Sequence, residues 1–69
     1  MDIATKIRAV CGACRISEAE LARRIGTTPS AFNQRMKTGK FTSNELEKIS
    51  EALGVEYISY FRLPDRTEI

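Results

Sequence analysis

The sequence predicts a mainly α-helical fold in which four helices surround one small core and a C-terminal β-strand or hairpin extension follows them. Three observations favour this fold class. Apolar residues recur at helical spacing, side chains suited to helix N-caps precede several of these segments, and residues 56–63 change to strand-like alternation. The 69 residues contain no internal repeat, low-complexity segment or flexible linker. We therefore expect a single domain over residues 1–69.

The first predicted helix covers residues 2–14, because its apolar side chains recur at intervals of three and four residues. Gly12 lowers the helix propensity of this segment, but one glycine does not outweigh the periodicity. We expect one face of this helix to carry Ile3, Ile7, Val10, Cys11 and Cys14.

The Cys-x-x-Cys motif at Cys11 and Cys14 also occurs in zinc sites and in thiol redox couples. Structural zinc normally takes four Cys or His ligands, and this chain has two cysteines and no histidine. A thioredoxin-like motif needs a βαβ context, which the helical pattern does not provide. We interpret both cysteines as core packing and expect no metal and no cofactor. A thiol redox sensor is the alternative if they are exposed.

Two short helices joined by a tight turn are predicted next. Ser17 and Glu20 have the spacing of a capping box at the start of the second helix, and Gly26 ends it because the residue after a helix often adopts positive φ. Thr28 then caps a third helix, and Pro29 suits its first position. The apolar face of the second helix consists of Leu21, Ala22 and Ile25.

The third helix has one apolar and one polar face. Phe32 and Met36 lie four residues apart and should be buried. The opposite face carries Ser30, Asn33, Gln34 and Lys37. Amide side chains present a donor and an acceptor side by side, as the major-groove edge of adenine requires, so this face is a candidate for base contacts. The ordinary alternative is a solvated surface that carries amides by chance.

The fourth helix is predicted from Thr42 and Glu45, which repeat the capping-box spacing, and Gly54 ends it. Its apolar face consists of Leu46, Ile49 and Leu53. After Gly54 the pattern alternates with a period of two up to Pro64, so we expect a strand over 56–63 and a return over 67–69. The spacing of Ile58 and Phe61 also permits a short fifth helix.

A lone hairpin is marginal in water and exposes an edge that a second copy could cover. We therefore expect residues 56–69 to be a dimerisation extension. The predicted dimer face consists of Tyr57, Ser59, Phe61 and Leu63.

Charge is distributed unevenly along the chain. Residues 1–44 hold eight Lys and Arg against three Asp and Glu, a net of +5, whereas residues 45–69 hold three against six, a net of −3. The basic part contains the second and third helices, and a charge asymmetry of this kind can orient a protein toward phosphates. Scattered basic residues are also common on solvated surfaces.

Several function classes find no support in the sequence. No nucleophile stands beside a base, no phosphate loop occurs, and a chain this short leaves little room for an enzyme cleft. No stretch approaches 18 apolar residues, and Asp2 does not fit a secretion signal. We expect a cytoplasmic protein that is not an enzyme and has no membrane partner and no evident small-molecule effector.

Four segments resemble the Cro/phage-repressor (XRE-like) helix-turn-helix family, over about three quarters of the chain. Ala22 matches a position where this family keeps a small residue, Gly26 its turn glycine and Phe32 its buried position in the recognition helix. The segments are Leu-Ala-Arg-Arg-Ile-Gly at 21–26, Thr-Thr-Pro-Ser-Ala-Phe-Asn-Gln at 27–34, Gly39-Lys40, and Leu46-x-x-Ile-x-x-Ala-Leu-Gly-Val55.

The resemblance implies a four-helix, repressor-like domain that binds double-stranded DNA. It assigns base contacts to Ser30, Asn33 and Gln34, and phosphate or groove-edge contacts to Thr28, Lys37 and Lys40. Two residues depart from the family pattern. Glu18 stands where relatives often place a phosphate-binding Gln, and Pro29 stands where many relatives reach a base, which implies a shorter set of base pairs.

The resulting hypothesis is a homodimeric, sequence-specific transcriptional regulator, most simply a repressor, that binds an inverted-repeat operator. The competing hypothesis is a protein-interaction module, such as an antitoxin or immunity partner, whose polar face meets protein.

Overall fold

A computed structural model describes residues 2–69 and contains four α-helices within that range. The helices are α1 (Ile3–Cys14), α2 (Glu18–Arg24), α3 (Pro29–Thr38) and α4 (Ser43–Leu53). The predicted four-helix arrangement is thus confirmed. Among the described residues, no helix is both long and apolar enough to cross a membrane.

Each helix begins at a side chain that accepts a hydrogen bond from a backbone N–H three residues later. Asp2 caps α1 in this way, and the predicted caps Ser17, Thr28 and Thr42 begin the other three helices. Such caps satisfy N–H groups that have no partner within the helix. The helix starts are therefore determined by local chemistry.

The reciprocal capping box is present at α4 but is not seen at α2. Glu45 accepts a hydrogen bond from the backbone N–H of Thr42 at 2.8 Å, and Thr42 Oγ1 accepts one from Glu45 N at 3.2 Å. At α2, Ser17 Oγ accepts from Glu20 N at 3.0 Å, but the Glu20 carboxylate binds Arg23 and Arg24. Two guanidinium groups one helical turn away attract the carboxylate more strongly than a neutral N–H does.

The core lies where α2 packs against the other three helices. Leu21 and Ala22, both on α2, have no exposed surface, and α1 and α4 also pack against each other. The turn after α2 depends on Gly26 at φ +83°, and Thr27 N then donates to Ala22 O at 2.9 Å. The buried apolar residues are Ala4, Ile7, Cys11, Leu21, Ala22, Phe32, Met36, Ile49 and Leu53.

The C-terminal strand predicted over 56–63 is not seen. Residues 55–61 have no regular secondary structure, residues 55–69 form no fifth helix, and pairing is limited to an isolated antiparallel bridge between Arg62 and Glu68. A two-stranded unit has no third strand or helix packed on it, so little stabilises a longer ladder. The predicted dimer face of Tyr57, Ser59, Phe61 and Leu63 is accordingly exposed rather than held in a sheet.

We call residues 55–69 the tail, and its end forms a tight turn. Arg66 N donates to Leu63 O at 2.9 Å, and Asp65 Oδ1 accepts from Thr67 N at 3.0 Å. Arg66 adopts φ 75°, the left-handed conformation that follows the turn in three-residue hairpin loops. This geometry reverses the chain and brings residue 69 beside residue 61.

Candidate nucleic-acid interface

The position of α3 is set by its two apolar side chains and its ends. Phe32 and Met36 are each only 3% exposed and anchor one face of the helix in the core, as predicted. At the N-terminus Thr28 Oγ1 accepts from Ala31 N at 3.1 Å, and at the C-terminus Gly39 adopts φ 67°. The opposite face of α3 therefore points into solvent at a defined orientation.

That solvent-facing surface carries the three side chains predicted to contact bases, which we call the amide face: Ser30, Asn33 and Gln34. All three are exposed, and none makes a side-chain hydrogen bond to another residue within 2–69. Their spacing of three and four residues places them together on one side of the helix. Their donors and acceptors are free to pair with an external ligand.

The residues predicted to contact phosphates are exposed at both ends of α3 and in the following loop. Thr28 lies at the N-terminus, where its hydroxyl oxygen already serves as the helix cap. Lys37 lies in the last turn and Lys40 in the loop, and neither forms an ion pair within the described part of the chain. Two available cations thus flank the C-terminal end of the amide face.

The structure adds a polar cluster that sequence reasoning missed, which we call the Arg35 clamp. Arg35 Nη2 donates to Lys40 O and to Glu45 Oε1, both at 2.6 Å, and Nη1 lies 2.6 Å from Glu45 Oε2. The guanidinium Cζ lies 5.3 Å from the ring centroid of Phe41, and that ring lies 6.2 Å from Phe32. The clamp ties α3, the loop that carries Lys40 and the N-terminus of α4 into one unit.

Glu45 is central to this clamp because its carboxylate accepts from two sources. The hydrogen bonds from Arg35 and, next, from the backbone N–H of Thr42 lower the pKa of Glu45 from 4.5 to about 2. The carboxylate is therefore charged at neutral pH. The capping-box spacing predicted the Thr42 contact, but nothing in the sequence pattern links Arg35 to Glu45, ten residues apart.

The arginine side chains on and near α2 form ion pairs with glutamates of α2. Glu20 binds both Arg23, at 3.2 Å, and Arg24, at 3.1 Å, and these hydrogen bonds, Arg24 first, lower its pKa. Glu18, one of the two residues that depart from the pattern of the family that the sequence resembles, lies 3.9 Å from Arg8. The positive charge of α2 is thus largely balanced within the domain.

The cysteine pair lies on α1. Cys11 is buried, as predicted, and burial, followed by the charge of Glu18, raises the pKa of its thiol. Cys14 is half-buried, with its sulfur 3.7 Å from Leu53 O, and neither cysteine forms a disulfide. Within residues 2–69 no three or more His, Cys, Asp or Glu side chains form a cluster suited to a metal ion.

Comparisons with known proteins assign no family to this chain. No family model matches it, and no curated protein or solved structure gives a match.

Proposed function

We propose that this protein is a sequence-specific DNA-binding transcriptional regulator, a repressor in the simplest case, that acts as a homodimer. The observation that carries the proposal is the amide face of α3. It is exposed, has no hydrogen-bond partner within the described residues and is held rigidly by Phe32 and Met36. An exposed helix with that combination suits the major groove of B-DNA, which admits one α-helix.

In the proposed complex, α3 lies in the major groove as the recognition helix of a helix-turn-helix motif. The amide groups of Asn33 and Gln34 are suited to the N6 and N7 edge of adenine, and Ser30 accepts or donates to either base type. Lys37 and Lys40 contribute ammonium groups at the phosphate backbone, which fix the register without reading sequence. Occupancy of the operator then blocks access by RNA polymerase.

The homodimer follows from the tail. Its large apolar residues are at least 40% exposed, which a monomeric protein seldom tolerates over a contiguous segment. They are Val55, Tyr57, Ile58, Tyr60, Phe61, Leu63 and Ile69. A second copy related by a twofold axis covers part of this apolar surface and places a second recognition helix on the same side of the DNA.

Selection of bound sequences from a random DNA library tests the proposal directly. We expect enrichment of an inverted repeat, and an affinity for the selected site that falls steeply as salt rises, because phosphate contacts release counterions. A protein-interaction module would enrich no sequence. Failure to enrich any motif at low salt would reject the proposed function.

A further inference from the structure

An apolar groove runs between α1 and α4 on the side of the domain where the tail begins, and we call it the α1/α4 groove. It encloses about 340 Å³. The charged residues along it are Lys6 and Glu56, and Val55 and Tyr57 form its margin. The apolar side chains of its floor are Ile3, Ile7, Val10, Leu46, Ile49 and Leu53.

The end of the tail presents an apolar face of its own. Phe61 and Ile69 exchange backbone hydrogen bonds, and Leu63 N donates to Thr67 O at 2.6 Å. Directly paired residues project to the same side, and successive residues alternate. The tail face therefore consists of Phe61, Leu63 and Ile69, which are 79%, 40% and 68% exposed.

The other side of the paired tail is polar. Arg62 and Glu68 form an ion pair at 2.9 Å, and the guanidinium Cζ of Arg62 lies 5.8 Å from the ring centroid of Tyr60. This charged side is suited to water, so the tail end is amphipathic. The apolar side would be stabilised by burial against another surface.

The amount of exposed surface points to a second copy as the source of that surface. The chain exposes 5205 Å² for a mass of 7.8 kDa, whereas a compact monomer of this mass exposes about 4,400 Å². The excess of about 800 Å² equals the share that each partner contributes to a standard protein interface. The radius of gyration of 13.3 Å also exceeds the roughly 11 Å of a compact chain of this length.

We propose that the tail face of each copy docks into the α1/α4 groove of a second copy, so that two chains exchange tails reciprocally. The inference rests on the homodimer of the proposed function and specifies which surfaces form it. Each chain contributes one groove and one tail face, so twofold symmetry covers both pairs and leaves no open end for further association.

Isotope-filtered NMR on a mixture of ¹³C-labelled and unlabelled wild-type chains tests this contact. We expect intermolecular NOEs between the methyl groups of Ile3, Val10 and Leu46 in one copy and the ring of Phe61 in the other. Three results would overturn the proposal: intermolecular NOEs between tails alone, intramolecular NOEs from a tail to its own groove alone, or a monomer at NMR concentrations.

Substitution of an exposed residue that lines the groove gives a second test without disturbing the core. Ala9 is such a residue, and Ala13 is its matched control because it is exposed on the same helix outside the groove. We expect Ala9→Glu to raise the dimer dissociation constant about tenfold or more by sedimentation, and Ala13→Glu to leave it within about twofold. Circular dichroism verifies that both variants are helical. Equal effects of the two substitutions contradict groove docking.

The tail has its own matched pair. Phe61 lies on the tail face, whereas Ile58, 67% exposed, precedes the paired end of the tail and is not part of that face. Phe61→Ser should weaken the dimer about tenfold or more, and Ile58→Ser should weaken it much less. The reverse order contradicts the proposal.

These results are separable from DNA binding. A dimer that selects an inverted repeat but shows no contact between groove and tail rejects the exchange and leaves the proposed function in place. Groove contacts in a protein that selects no DNA sequence retain the exchange and reject the proposed function.

Discussion

At the scale of single residues, the amide face and the Arg35 clamp differ in how their polar groups are used. The amides of Asn33 and Gln34 form no side-chain hydrogen bond within residues 2–69, whereas Arg35 directs its guanidinium to Lys40 O and to the Glu45 carboxylate. A committed guanidinium is a poor reader of DNA because a base contact would require it to break charge-assisted hydrogen bonds. In the proposed complex, Arg35 is therefore a positioning residue, and the amides of Asn33 and Gln34 are the candidate readers.

Removal of one amide tests the reading role. We expect Asn33→Ala or Gln34→Ala to lose about 1–3 kcal/mol of discrimination at one or two base pairs, because a bidentate contact to adenine is lost. Competition binding against single-substituted operators measures the loss. The control is Asn44→Ala, which removes an exposed Asn from α4. The assignment is wrong if sequence preference is unchanged in both amide variants.

Acid should disrupt the Arg35 clamp. The pKa of Glu45 in the folded protein, about 2, lies below its unfolded value of 4.5. Glu45 thus contributes stability that is fully present above about pH 4.5 and is lost as the pH falls toward 2. We expect the free energy of unfolding to decline less steeply over this window in Glu45→Gln than in the wild type, as measured by urea denaturation.

Glu47→Gln is the matched control for the acid effect, because Glu47 is exposed on the same helix and forms no ion pair among residues 2–69. It should follow the wild-type pH profile. Identical profiles for Glu45→Gln and the wild type would show that the clamp adds no stability.

At the scale of elements, the loop between α3 and α4 is held at both ends. Arg35 anchors the carbonyl of Lys40, and the capping box of Thr42 and Glu45 fixes the start of α4. The Lys40 backbone is therefore positioned even though its ammonium group is exposed. In the proposed complex, this defined loop fixes where Lys37 and Lys40 meet neighbouring phosphates.

Neutralising either lysine should weaken DNA binding without changing sequence preference. Each phosphate contact contributes about one unit to the dependence of log K on log salt, so we expect Lys37→Ala or Lys40→Ala to reduce that slope by about one. Titrations at several salt concentrations provide the slope. Lys48→Ala, which removes an exposed cation from α4, should leave it unchanged. A loss at Lys48 equal to that at Lys37 would indicate a general charge effect.

At the scale of the whole molecule, the four-helix core and the tail differ in how far their apolar side chains are buried. The core encloses its own apolar side chains, but the tail leaves its large apolar residues exposed. The molecule extends 43 Å along one axis against 23 and 20 Å along the others. A small core with a protruding apolar tail favours association over a monomeric state. In the proposed dimer, the tail is the element that brings two recognition helices together.

The geometry of such a dimer predicts the operator. Two recognition helices on one face of B-DNA lie one helical turn apart, so half-sites should be separated by about 34 Å, or about ten base pairs. Operators with the spacing changed by about five base pairs should bind far more weakly, because half a turn places the second half-site on the opposite face. If a single half-site binds as tightly as the repeat and the protein sediments as a monomer, the dimer hypothesis is wrong.

Much of the helical core could be predicted because its determinants are local. The caps Ser17, Thr28 and Thr42 each act on an N–H three residues away, and the glycines 26 and 54 follow the helices that they end. Burial of Phe32 and Met36 followed from a spacing of four residues. Contacts between residues three or four apart depend on local helix geometry, so the spacing of residue types in the sequence is enough to predict them.

Glu20 binds two arginines of its own helix instead of completing its capping box, and this contact is local because the partners lie three and four residues further along α2. Two features were decided by the tertiary structure. Arg35 meets Glu45 across the loop between α3 and α4. The tail forms one bridge instead of a strand, because strand formation needs a partner that local alternation cannot supply. The sequence by itself determined four helices and a polar face on α3. Only the tertiary structure decided that Arg35 pairs with Glu45 and that an apolar groove remains between α1 and α4. Both depend on contacts between residues that are distant in the sequence, which local patterns do not specify.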